Sequence, residues 1–99
     1  DTIPDGGSTS NGVRRVGMRA VGVVIPSGLA GTNLNLEASF DNGNTWHTVI
    51  DDGTEVVVKA TSVGFDVFKM GQMEALKHVR LVSDSAQTGA VTLTWIFRP

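Results

Sequence analysis

Asp41, Asn42 and Asn44 are the side chains most suggestive of an ion site, since calcium takes carboxylate and amide oxygens. Their order, Asp41-Asn42-Gly43-Asn44, misses the D-x-[DN]-x-[DN]-G spacing of a calcium loop and suits a tight turn instead. Two histidines, His47 and His78, could ligate a metal, but neither has a second His at H-x-H or H-x-x-x-H spacing. Asp51-Asp52 and Asp52/Glu55 could supply the two carboxylates of glycoside hydrolysis, yet they fall where a turn needs aspartate for its own backbone. No G-x-S-x-G elbow would place a serine nucleophile, and the glycines form no phosphate-cradling G-x-G-x-x-G or P-loop pattern. Trp46 and Trp95 could stack on sugar rings. Trp95 shares its parity with Val91, Leu93 and Phe97, and Trp46 opens a strand after a turn, so packing is expected of both. The residues thus predict no enzyme, no cofactor and no metal site.

The elements around these residues are strands. Leu34, Leu36, Ala38 and Phe40 alternate with Asn35, Glu37, Ser39 and Asp41, and Trp46, Thr48 and Ile50 alternate with His47, Val49 and Asp51. Period-two patterning on both sides of a Gly/Asn turn predicts a β-hairpin over 33–50. Val13 to Ile25 is a further strand, with Arg14, Val16, Met18, Ala20, Gly22 and Val24 on the expected core face and a bulge or bend at Gly17 or Gly22. Thr54 to Lys59 and Phe65 to Met70 are shorter strands, and Gly71 to Ala75 fits a single helical turn. Leu76 to Ser83 should bury Val79, Leu81 and Ser83, and Ala90 to Arg98 should bury Val91, Leu93, Trp95 and Phe97. About seven short antiparallel strands with regular turns predict an all-β single domain, a β-sandwich or jelly-roll-like fold.

Residues 1–12 read differently. Asp, Gly, Ser, Thr, Asn and Pro dominate, and Ile3 is the one large apolar side chain. Such a segment cannot bury enough surface to offset its ordering entropy, so a flexible N-terminal arm ahead of a domain over 13–99 is expected. Within and beside it, Ile3, Pro4, Arg14 and Arg15 are the candidate contacts to a partner subunit.

A chain of 99 residues holds one core of two packed layers. A net charge of −2 with dispersed Lys and Arg disfavours nucleic acid as a partner. The absence of cysteine excludes disulfides and thiolate chemistry within these residues. No apolar run reaches the ~18 residues of a membrane helix.

Ser39, Asp41, Gly43, Thr45 and Trp46 fill every specified position of S-x-D-x-G-x-T-W, and the segment resembles the Asp box of sialidases and other β-propeller proteins. There the box is a structural hairpin repeated in each blade. A single copy in so short a chain implies hairpin geometry and not sialidase activity, and the chain has no tyrosine to act as that family's nucleophile.

A broader resemblance runs from Leu34 to Arg98, about two-thirds of the chain. It rests on the Leu34–Trp46 segment, the Asp52-Gly53-Thr54-Glu55 turn, Leu76-Lys77-His78-Val79-Arg80-Leu81-Val82-Ser83 and the threonine-rich closing strand 90–98. In this order they resemble small β-sandwich virion proteins of tailed bacteriophages, although Gln72-Met73-Glu74 stands where such chains more often carry an aromatic-glycine step. The resemblance implies a non-enzymatic virion structural protein without a cofactor, foremost a capsid decoration (cement) protein on the major capsid protein lattice. A tail or head-completion component is the neighbouring alternative, and a carbohydrate-binding module the alternative from another class. It also implies assembly in the host bacterial cytoplasm into the virion, and a homo-oligomer, with a trimer favoured because closed symmetry would cover sheet edges.

Overall fold

The computed structural model describes residues 1–14, 16–60, 63–68 and 76–99. Arg15 and the turn expected at 71–75 lie outside the described residues, as do 61–62, in the break expected after Lys59, and 69–70, the end of the strand expected from Phe65. Among the described residues every regular element is a β-strand: β1 (Thr2–Ile3), β2 (Val13–Arg14), β3 (Arg19–Ile25), β4 (Asn33–Ser39), β5 (His47–Thr48), β6 (Ile50–Asp51), β7 (Thr54–Glu55), β8 (Val57–Lys59), β9 (Gly64–Val67), β10 (His78–Ser83), β11 (Val91–Thr92) and β12 (Thr94–Arg98). All their pairings are antiparallel. The protein is an all-β, sandwich-like single domain.

The first sheet runs β2-β10-β4, and beyond β4 the ladder is shared by β5 at Glu37–Ala38 and β8 at Asn33–Asn35. The second runs β12-β3-β9. The core lies between the two. β4 contributes Leu34, Leu36 and Ala38 and β10 contributes Val79 and Leu81, facing Val23 and Ile25 of β3 with Leu93 and Trp95 of the closing strands. The alternation predicted for 79–83 and 91–95 is the one observed, because each of those strands has one solvated face and one buried face.

Four elements depart from the sequence reading. In β3, Ile96 pairs with Gly22 and Phe97 with Ala20, so Val21 is an extra residue opposite β12. This bulge, beside Gly22, flips the parity: Ala20 is buried before it, Val23 and Ile25 after it, and Val16 and Met18 of the expected core face are exposed. At the end of β4 the alternation also breaks, leaving Ser39 buried and Phe40 71% exposed. The strands expected over 45–50 and 54–59 each divide, at Val49 and Val56, whose backbones bond to each other and to Leu36. The intervening β6–β7 hairpin projects outward on Asp52 and Gly53, both at positive φ as a two-residue hairpin turn requires.

The fourth departure is the N-terminal arm. Ile3 is 0% exposed and belongs to the core. β1 pairs with β11, and the Leu93 N–H donates to the Asp1 carbonyl. After the turn at Pro4–Gly7 the chain crosses to the first sheet, where Ser83 donates to Ser8, Ser10 donates to Leu81, and β2 pairs with the start of β10. Residues 1–14 therefore run along one flank, paired through β1 with β11 in a two-stranded ladder of their own and through β2 with β10 of the first sheet, while the Asp1 carboxylate reaches Trp95 of β12. Composition suggested a free arm because it counts apolar residues. The segment is held by one fully buried isoleucine and a run of backbone bonds that composition does not register.

Candidate functional site

The Asp-box hairpin consumes its own chemistry. Ser39, buried at the end of β4, donates its hydroxyl to Asp41 Oδ1 at 2.8 Å and accepts from the Gly43 N–H at 2.8 Å. The Thr45 N–H donates to the same Asp41 oxygen at 2.8 Å. Bonds from Thr45, side chain and backbone, and from Ser39 hold the Asp41 carboxyl down at about 2. Asn42 and Gly43 both have positive φ, which places asparagine and glycine at this tip. Asn44 donates its amide to the Asp41 carbonyl. The Asp41 oxygens that suggested a calcium loop thus serve the turn, and no group of three or more His, Asp or Glu side chains that could hold a metal occurs among the described residues.

Trp46 is engaged as well. Its indole N–H donates to the Gly43 carbonyl at 3.0 Å, the His78 ring meets it edge-on at 4.8 Å, and the Arg80 guanidinium lies 4.3 Å over its ring. Arg80 is itself fixed by Glu37 at 2.7 Å, its cross-strand neighbour. Gly12 lies so close to this ring that a Cβ there would stand 3.0 Å from it. Trp95 is buried, donates to the Asp1 carboxylate at 2.9 Å and stacks between Phe68 and Phe97. Both tryptophans belong to the scaffold, and neither is a bare platform for a sugar.

The remaining residues singled out from sequence lie apart. His47 is exposed on β5, and His78 is half-buried under Trp46. Asp51 and Asp52 are exposed at the β6–β7 tip. Among the candidate partner contacts, Ile3 is core and unavailable to a partner, Pro4 is exposed at the crossing turn, and Arg14 is exposed at the end of β2. Two hollows share Lys77, and Arg14 lines the first of them. That one is also lined by Phe40, Asp41, Asn42 and His78, the other by Met18, Arg19, Leu76 and Pro99. This basic, apolar pole displays Met18 and Phe40.

Sequence reasoning missed one concavity altogether. A groove of about 520 Å³ opens along the flank opposite residues 1–14, between β8 with the neighbouring β6–β7 hairpin and β9. Ile25, Val56, Val58 and Phe68 give it an apolar floor, and Asp51, Glu55, Lys59 and Asp66 its charged walls. β8 and β9 end their ladders here among the described residues, each bonded to a neighbour on one side alone. Phe65 and Val67, outward on β9, are 49% and 67% exposed. The signal was present: Phe65 and Val67 share one parity of a four-residue strand, and a strand so short with Asp66 between them suits an edge.

Comparison with protein-family models, curated proteins and solved structures found no match for this chain.

Proposed function

We propose that this chain is a non-enzymatic structural protein of a tailed-bacteriophage virion, a capsid decoration protein that binds the major capsid protein lattice. The segments whose order resembles phage virion proteins form the hairpin, β10 and β12 of one sandwich. The observation that carries the reading is the hairpin's closure on itself. Ser39, Asp41, Thr45 and Trp46 spend their polar groups on the turn and sheet, so the conspicuous motif is a rigidity device. What the molecule offers outward is an open sheet flank and an apolar, basic pole, surfaces that suit protein neighbours. A tail or head-completion position would use the same surfaces.

The test is incubation of the purified chain with purified heads and tails of the phage that encodes it, followed by sedimentation and electron cryomicroscopy. Regularly spaced added density on the head is expected. Density on the tail alone would move the role to that organelle. Absence from both, and from virions examined by mass spectrometry, overturns the reading, and saturable binding on a glycan array would then favour a carbohydrate module.

A further inference from the structure

The two surfaces left open by the fold are complementary. The groove between β8 and β9 carries three carboxylates, Asp51, Glu55 and Asp66, against the single amine of Lys59. Asp51 is already engaged, and Glu55 accepts from the Asn35 amide at 3.1 Å. The pole around Lys77 carries Arg14, Lys77 and Arg19, the last already engaged and with Arg98 opposite it on β12, and Asp41 is the side-chain carboxylate among the described residues lining its hollows. Each surface also has its apolar part: Phe65, Val67 and the groove floor on one, Met18 and Phe40 on the other.

We propose that the groove receives the basic pole of a second copy of this chain. The contact is heterologous, head to tail, because two different surfaces of the same molecule meet; such contacts close into rings or run on as filaments. Association through paired β9 edges is the competing geometry, and Asp66 argues against it. By the alternation of β9 its side chain points inward between Phe65 and Val67, and an inward charge on an edge strand is a device that blocks sheet extension. The same charge is an attractive partner for a guanidinium or ammonium entering the groove. This inference deepens the proposed shell role by naming the surface through which copies meet, and it rests on that reading only for why they would.

The experiment is sedimentation equilibrium of the full chain in 0.1 and 1 M salt, over about 1 to 500 μM, a span matched to a contact of modest area. Mass should rise with concentration in low salt and fall back toward the monomer in high salt, where screening length drops from about 10 to about 3 Å. A groove variant, Glu55→Lys with Asp66→Lys, and a pole variant, Arg14→Glu with Lys77→Glu, should each stay monomeric with unchanged circular dichroism. An equimolar mixture should regain association, since each supplies the surface the other lacks. A wild-type chain that stays monomeric throughout overturns the inference, as does association that salt and both variants leave untouched. Presence on the virion is read separately: a monomer still found on particles sinks this contact and spares the shell role, and a self-associating chain absent from particles does the reverse.

Discussion

Along one flank of the sandwich, residues 1–14 pair with β11 and then with β10, and Asp1 reaches Trp95 of β12; along the opposite flank, β8 and β9 stop with a groove between them. The two flanks face the same physical problem, a row of backbone groups at the end of each ladder. The first solves it with chain. Asp1, Thr2 and Ile3 bond to β11 and Leu93, residues 8–10 bond to β10, and a buried isoleucine anchors the crossing. The second leaves its edges short and charged, with Lys59 on β8 and Asp66 on β9. An edge covered within the chain contributes stability, whereas one left uncovered is available to another molecule.

Substitution should separate the flanks sharply. Ile3→Ala empties a fully buried site and should cost about 2–5 kcal/mol in urea unfolding. Val67→Ala, on the open flank and largely exposed, should change stability by less than about 0.5 kcal/mol. Equal effects would erase the distinction. Gly22→Ala comes next. Its Cβ would stand 2.7 Å from the Asp66 carbonyl and closer still to the Phe65 ring, so β9 must move off β3, at a cost of about 1–3 kcal/mol. Amide exchange should accelerate at Phe65 and Val67 and leave the β10–β4 ladder unchanged; uniform acceleration would mean that the open flank is no separate unit. Asp1→Ala is smaller. It removes the carboxylate that accepts from the Trp95 indole and the Gly12 N–H, and about 1 kcal/mol should be lost, with a shifted Trp95 emission. No shift would detach Asp1 from the stitch.

The two flanks also differ in how far sequence could foresee them. Alternation made β4 as far as Ala38, β10 and residues 91–95 legible, because a strand with one dry face must write that face into every second residue. Ile3 was equally visible as a residue but not as a core residue. Its burial depends on β11, about 90 positions away, and on backbone bonds that any sequence could make. The parity of β3 failed for a related reason: one extra residue at Val21 inverts the pattern, and Val16 and Val24 look as apolar as Val23. The Asp-box residues were the most legible candidate, since a tight turn fixes its contacts within eight positions. The groove was the least, because it is made by two edges from distant parts of the chain.

The hairpin joins the two sides, and this makes its acid sensitivity informative. Trp46 precedes β5, at the far edge of the first sheet, yet its ring reaches back across β4 to His78, Arg80 and Gly12 on the stitched side. What holds the turn at that angle is the Asp41 carboxylate, bonded to Thr45 and Ser39. Its folded pKa, about 2, lies below the ordinary 3.8, so the ionised form favours the folded hairpin. That contribution is present in full above about pH 4 and fades as pH falls through 2. The Thr45 amide shift, followed by NMR, should titrate with a midpoint near 2, and Trp46 emission should move with it as the ring loosens from Arg80. Asp84 is also lowered, chiefly by the Thr32 N–H, so an Asp41→Asn variant should lose the Thr45 titration while a transition remains at Thr32. A Thr45 midpoint at the ordinary 3.8 in the wild type would mean that the carboxylate does not clamp the turn. The span from the open flank to the stitched one would then be held by Trp46 packing alone.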